Sequence, residues 1–396
     1  MSIGKLGFGM MRLPIIDRNK KEHLPLRFDV VFSPDDYYDV DHEQVCQMVD
    51  EFLKAGFTYF DTSYVYLNGK SEAATREALI KRHKRDFFTL ATKMPTFLVQ
   101  SKDDAPKFFK QQLANCGVDY FDYYLLHTLR GPLYDPIAEK FGLFQFVAEQ
   151  KKQGKIRNLG FSFHDSPELL DRILTEHPEI DFVQIPVSYY DWDSYFVRSR
   201  RCYEVIRNHG KKVVIMQPVK GGTLAKAPKK AEDLMRKLQP NLSTASWAIR
   251  FAAGLDGVIT VLSGMSSLQQ VKDNAAYMKN FVPLSDEEKA ILPKVTEIYK
   301  LTGPLHCADY FKYEGIAKNG MPVAGVLDAY NSCMIQPDPA FSNENNYYAT
   351  ERYAHNVGKG KSWIAEKLIS TNGNDVTDTV KKAETWLMQH SLAGDF

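Results

Sequence analysis

The sequence predicts a (β/α)8 barrel of the TIM type followed by a C-terminal, mainly helical extension. Three observations point there. Across residues 1–300, eight short apolar runs alternate with longer amphipathic stretches, the pattern of strands and helices in a parallel α/β fold. An open dinucleotide-binding sheet would carry G-x-G-x-x-G between a first strand and a helix, but the early glycines fall at 4, 7 and 9. Beyond residue 300 the alternation stops and the chain turns polar, with a last helix-like stretch at its end.

Taken in order, the first strand is LGFGMM (6–11), and residues 15–41 read as a long polar insertion after it. HEQVCQMVDEFLKAG (42–56) is a helix, with apolar residues at 45, 49, 52 and 53 on one face. The remaining strands are TYFDTS (58–63), FFTLATK (87–93), FDYYLLH (121–127), RNLGFSF (157–163), FVQIPVS (182–188), KVVIMQP (212–218) and GVITVLSG (257–264). Helices are predicted over PELLDRILTEH (167–177) and STASWAIRFAAG (243–254), the second with Ser243 as N-cap. LSDEEKAILPKVTEIYK (284–300) closes the barrel as a helix kinked or restarted at Pro293. Residues 301–396 form the extension, ending in a helix over 377–390. Its apolar anchors are Tyr310, Phe311, Val326, Leu327, Trp363, Ile364, Trp386 and Leu387. Left exposed, side chains of that size would invite aggregation, so they are predicted to dock on the barrel or on a second subunit.

Composition removes several classes of function. Fifty Lys and Arg balance 49 Asp and Glu, so no electrostatic footprint for nucleic acid or an anionic membrane is expected. The densest basic run, Lys81-Arg82-His83-Lys84-Arg85, follows a helix-like stretch, where the helix C-terminus favours cations. No window offers the ~18 uninterrupted apolar residues of a membrane span, and the N-terminus lacks the apolar run of a secretory signal. Cysteines at 46, 116, 202, 307 and 333 form no CxxC pair; their odd number fits reduced thiols in a cytoplasmic protein.

The chemistry of such a barrel sits where its strands end. Reading those ends gives Asp61, Lys93, His127, Ser162 and Gln184, with Tyr66 five residues past Asp61. Taken singly, an Asp–Lys pair with a nearby His is an ordinary structural ion pair. Together the residues suit carbonyl reduction. Hydride addition to a carbonyl carbon puts negative charge on its oxygen, which needs a proton. A phenol with a pKa near 10 is a reluctant acid, and an adjacent ammonium makes it a better one. Lys93 supplies that charge, Asp61 keeps Lys93 protonated, Tyr66 is the general acid and His127 donates a hydrogen bond to the oxygen.

Here the sequence resembles the aldo-keto reductases. The segments that carry the likeness are GFGMMRLP, FDTSYVYLNGKSE, LATK, DYYLLH, GKIRNLGFSFH, VQIPVSYYD, MQPVKGGTL and VLSGMSSLQQVKDN, in the family's order across residues 6–274. The resemblance implies a catalytic tetrad of Asp61, Tyr66, Lys93 and His127, a nicotinamide cofactor and a small-molecule carbonyl substrate. It places Ser162 and Gln184 on the nicotinamide carboxamide, although Phe163 stands where an Asn commonly follows the Ser. Met216 stands where an aromatic commonly covers the ring, and a thioether can cover the same face. MQPVKGG, with Pro218, Gly221 and Gly222, corresponds to the loop over the pyrophosphate. Gly264, Ser266 and Gln270 fall in the segment that holds the adenosine end, and Asp273 and Asn274 match the pair at the adenine. Gly264 and Gln270 stand where many relatives have cations for a 2′-phosphate, so NADP(H) is expected over NAD(H) with a weak preference. Met11, Arg12, Tyr189, Tyr190, Trp192 and the loop 127–136 are candidates for the substrate pocket.

The extension is similar to that of a branch whose barrels carry a ferredoxin-like tail with iron–sulfur cysteines. GMPVAGVLDAYN (320–331) resembles the segment after the first such motif, and the stretch from Trp363 to Trp386 the region of the second. A [4Fe–4S] cluster takes about four thiolates, whereas residues 301–396 hold only Cys307 and Cys333. The expectation is a tail without cluster or metal, serving as a structural remnant or as a surface for a protein partner or self-association. A cofactor-binding regulatory subunit is the competing function, and the intact tetrad favours catalysis over it.

Overall fold

The computed structural model describes residues 3–33, 35–305, 313, 320–358, 361–364, 366–371 and 373–391. Every predicted barrel strand is present. Leu6–Gly9 (β1) is followed by Ile15–Asp17 (β2), His23–Leu24 (β3) and Tyr38–Val40 (β4), then by Tyr59–Asp61 (β5) and Thr89–Met94 (β6). Phe121–Leu129 (β7), Ile156–Phe163 (β8), Phe182–Pro186 (β9), Lys212–Met216 (β10) and Val258–Ser263 (β11) complete the set. Strands β1 and β5 to β11 close into a parallel barrel, β1 pairing with both β5 and β11. Their runs are apolar on both faces because the interior and the surrounding helices bury both.

Residues 15–41 are more ordered than a polar insertion would be. β2 pairs antiparallel with β3 and β4, and Ile15, Val30, Val31, Tyr38 and Val40 are buried in the main core. These five apolar residues are scattered among charges, so no window shows a period.

The helices begin where the sequence offers acceptors. Asp41 caps His42–Lys54 through the N–H of Gln44, and Ser166 caps Pro167–Glu176 through that of Leu169. Ser243 stands at the N-cap position of Thr244–Ala253, but its hydroxyl donates to Asp273 at 2.7 Å instead of capping. Asp286–Lys300 opens with a reciprocal Ser285–Glu288 capping box and runs through Pro293 as one helix. The basic run after residue 80 is spent on ion pairs: Lys81 with Glu77, Arg82 and His83 with Asp50, and Arg85 with Asp122.

The extension contributes helices Val323–Met334, Glu344–Ala354 and Thr377–Gln389. Val326, Leu327, Trp363, Ile364 and Leu387 are buried in one cluster with Phe196 and Val197 of the barrel, and Trp386 packs half-buried against it. Tyr310, Phe311 and Cys307 lie outside the described residues. Gly325 lies in close contact there, since a methyl would meet the Phe196 ring at 2.8 Å. The tail therefore docks on its own barrel, over the face where the strands end. Among the described residues, no helix is long and apolar enough to cross a membrane.

Candidate active site

Side chains two apart on a strand share a face. Tyr59, Ala91, Leu125, Phe182 and Val214 form an apolar layer across the barrel interior. Two residues further along the same strands come Asp61, Lys93, His127, Gln184 and Met216. One step of the strand period thus converts a packed floor into a polar layer at the C-terminal mouth.

Asp61 and Lys93 are buried beneath that mouth. The Lys93 ammonium donates to Asp61 Oδ1 at 2.5 Å and to the Thr62 carbonyl at 2.9 Å. Its nitrogen lies 4.7 Å from the centre of the Tyr66 ring. Tyr66 is carried by a tight turn after β5, in which Leu67 and Asn68 take positive φ of 51° and 54° and the Tyr66 N–H donates to the Ser63 carbonyl. Its ring meets the His127 ring edge-on at 5.8 Å. The four residues of the expected tetrad are therefore brought together.

Electrostatics assigns them protonation states. Burial opposes the charge on Lys93, but the Asp61 carboxylate, with Tyr66, more than offsets it, and the ammonium is held above its ordinary range. Burial raises Asp61 while Lys93 pulls it back. For Tyr66 the sequence predicted a lowered pKa from the neighbouring ammonium. The structure reverses the net direction: desolvation raises the phenol, and Lys93 counters it only in part. Burial, reinforced by Lys93 and His164, holds the His127 imidazole far below 6.5, so it is neutral. Its Nδ1 lies 3.2 Å from Ser63 Oγ, leaving Nε2 to face a ligand.

Around this group lie the residues expected at a cofactor. Register pairs Ser162 on β8 with Gln184 on β9. Ser162 Oγ accepts the Thr128 N–H at 2.7 Å. The Gln184 amide nitrogen donates to the Met216 sulfur at 3.5 Å, while its Oε1 is buried with no hydrogen-bond partner. Pro218 is buried, and Gly221 and Gly222 follow it with φ of 63° and 102°, open to few other residues. Gly264 lies beside the Arg12 stem. Gln270 Oε1 accepts the Ser266 N–H at 2.8 Å. Asp273 holds Ser243, and Asn274 is buried between Ser263 and Tyr277.

The expected pocket wall is only partly assembled. Tyr189 and Tyr190 are buried in a separate core cluster, and Trp192 packs outward on Tyr203 and Phe251. Phe97, which the sequence reading passed over, stands 6.1 Å from His127 and is 40% exposed. An apolar side chain just beyond the Lys93 strand was its signal. The larger surprise is the segment from Gln336 to Glu344, which crosses the mouth. Gln336 presses on Gly221, Pro337 lies 3.8 Å from where a Gly222 Cβ would stand, and Phe341 packs on Phe28 and Phe32. Lys220 is buried between Asp191, at 2.7 Å, and Glu344 of the tail. Nothing in the linear sequence links residue 220 to residue 344.

A profile of the aldo/keto reductase family matches residues 33–297, well over half of the chain. The chain belongs to the aldo/keto reductase family. It is thereby an oxidoreductase by family, and the parallel barrel is the family's fold. It is similar to the uncharacterized oxidoreductase YqkF of Bacillus subtilis, 24% identical over 286 residues that cover 64% of this chain and 88% of that protein. A solved aldo-keto reductase from Bacillus halodurans, in its holo form, superposes with a TM-score of 0.56 at 25% identity, covering 74% of this chain and 95% of that one. An aldo-keto reductase from Klebsiella pneumoniae, solved with NADPH, shares the fold at a TM-score of 0.56 and 19% identity, covering 74% of this chain and 91% of that one. The family match ends at residue 297, before the docked tail of this aldo/keto reductase.

Proposed function

We propose that this aldo/keto reductase reduces an aldehyde or ketone to an alcohol with NADPH or NADH, Tyr66 being the general acid. One observation carries the reading: a buried Asp61–Lys93 ion pair beneath a phenol, with a neutral imidazole beside it. A carbonyl oxygen set between Tyr66 and His127 would accept hydrogen bonds from both. Tyr66, its pKa raised, is fully protonated at neutral pH and gives its proton to that oxygen as negative charge develops there. Lys93 stabilises the phenolate left behind, and Asp61 keeps Lys93 charged and oriented. A bound reduced nicotinamide supplies the hydride for the carbonyl carbon.

The residues present fit such a cofactor. Gln184 Oε1 is a buried acceptor without a donor, a costly arrangement that a carboxamide N–H would relieve. Ser162 lies next to it, Met216 offers an apolar face, and Gly221 and Gly222 let the backbone approach a pyrophosphate. Gly264, Ser266, Gln270, Asp273 and Asn274 would line the adenosine end. NADPH is the preferred form, by a small margin. Residues 1–300 form the catalytic barrel and 301–396 an extension that completes its mouth. Free Cys46, Cys116, Cys202 and Cys333 fit a reducing compartment such as the cytoplasm.

The test is fluorescence titration with NADPH and NADH, followed by turnover of a carbonyl panel at 340 nm with the tighter one. Absence of binding by both dinucleotides would overturn the reading.

A further inference from the structure

The barrel has a second opening, at the end where its strands begin and opposite the mouth. A cavity of about 530 Å³ lies there, lined by the entry ends of β7 to β11 and by Ile3 and Lys5 ahead of β1. Phe182 and Val214 belong to the apolar layer that crosses the barrel beneath Asp61 and Lys93. At the level of that layer two strands carry glycine: Gly7 of β1 beside Leu262, and Gly160 of β8 against the Phe182 ring. Two residues earlier on β1, β8 and β10 come Lys5, Asn158 and Lys212, on the same face by the strand period. A packed barrel fills such a level with bulky branched side chains. Here polar stems surround open space instead, above the rings of Tyr123 and Phe182, which meet edge to face with centroids 5.1 Å apart.

Charge at this opening is unbalanced. Lys5 is half-buried, and its ammonium donates to the Val258 carbonyl at 2.5 Å. Lys212 is exposed at the rim. Asp181 also lines the cavity, but its carboxylate is engaged by Lys151 and by the Leu159 N–H, the latter at 2.7 Å. Asp256, the next acid, pairs with Arg207 at 2.7 Å. Among the described residues neither Lys5 nor Lys212 forms an ion pair. Burial draws the Lys5 pKa down; Asp256 opposes that shift and the Lys212 charge adds to it. An anion between the two ammonium groups would relieve their repulsion, and the rings beneath would take an apolar body edge-on or offset-stacked. The volume falls within the range of about 300–1,000 Å³ typical of small-ligand pockets, which combine apolar walls with a few polar groups.

We propose that this opening binds a small aromatic carboxylate, its ring on Tyr123 and Phe182 and its carboxylate between Lys5 and Lys212. One apolar layer separates the site from Asp61 and Lys93, and it shares no residue with the catalytic or dinucleotide assignments. The inference is therefore independent of the reductase reading.

Isothermal titration calorimetry with 2-naphthoate tests it, on the wild type and on the double variant Lys5→Met, Lys212→Met. The wild type should bind with a dissociation constant of roughly 1 mM or tighter, as expected for a ligand of that size. Loss of the charged contacts should weaken binding by about tenfold or more. A wild type that does not bind 2-naphthoate, or a double variant that binds it as tightly, overturns the proposal. Should the variant fail to fold, acetylation of the wild-type lysines, mapped by mass spectrometry, replaces it. 2-Naphthoate is expected to slow acetylation at Lys5 and Lys212, and equal labelling with and without it overturns the proposal.

Discussion

Lys220, on the loop after β10, is held inside the protein by Glu344, which belongs to the tail. Asp191 takes the other side of the same ammonium at 2.7 Å. One cation thus compensates two buried carboxylates contributed by distant parts of the chain. Lys220→Met would leave both without a counter-charge, and removing one partner from a buried pair costs about 3–5 kcal/mol. Urea unfolding should show a loss of that order, with a smaller one for Glu344→Gln, which keeps the Lys220–Asp191 pair. A cost below about 1 kcal/mol for Lys220→Met would mean the tail is anchored elsewhere.

Removing residues 301–396 should lower Tm and solubility, because Phe196 and Val197 lose the apolar cluster that buries them. Differential scanning calorimetry and light scattering of the two forms check this. A truncated barrel with an unchanged Tm would contradict it.

Tyr66→Phe keeps the ring and removes the proton. Its dinucleotide affinity should stay within about twofold, while the reduction rate falls by roughly 10²–10⁴, the scale of a lost general acid. Because the phenol is raised above its ordinary value of 10, the wild-type rate should decline only on the alkaline side of pH 10. No inflection is expected near 6.5, His127 being neutral there. Single-turnover rates across the pH range would expose either failure.

His164 gives stability a pH dependence of its own. Burial, with the Arg130 charge adding to it, lowers this imidazole to about 3. Below pH 6.5 the unfolded chain takes up a proton that the folded chain refuses until about pH 3, so stability is lost as pH falls through that window. The loss should reach about 1 kcal/mol between pH 6.5 and 5.5. His164→Asn should remove that part of the slope in urea titrations; an unaltered slope would exclude the residue as its source.

Cofactor discrimination should be weak. Gln270 Oε1 already receives the Ser266 N–H, and Gly264 offers no side chain, so the adenosine end has little to distinguish a 2′-phosphate. An NADPH advantage of about tenfold or less is expected, near one modest charged contact. A thousandfold ratio of dissociation constants for either form would refute this.

What the sequence disclosed follows from the range of the interactions involved. The eight strands were legible because β7, for example, carries an apolar run from Tyr123 to Leu126. The grouping at the mouth was legible because Asp61, Lys93 and His127 each end such a run, so strand position already fixes their level in the barrel. Tyr189 and Tyr190 misled, because an aromatic pair after a strand end looks the same whether it faces a pocket or a core. The direction of the Tyr66 shift depends on desolvation, a quantity set by everything packed around the ring and by no single neighbour. The Gln336–Glu344 crossing was hidden for a related reason: its partners lie more than a hundred residues away in the chain.

The pairing of Lys220 with Glu344 also sets an order of events during synthesis. The two are 124 residues apart, and a ribosome adds about 5–20 residues per second, so Glu344 emerges roughly 6–25 s after Lys220. For that interval the strands of the barrel can pair while Lys220, Asp191 and the glycines beside them remain in water. The mouth is finished after the barrel strands, by a stretch of polypeptide made later than they are. A nascent chain stalled before residue 321 would carry Asp61, Tyr66, Lys93 and His127 yet lack the roof over them, and chaperones would meet it with Phe196 and Val197 still uncovered.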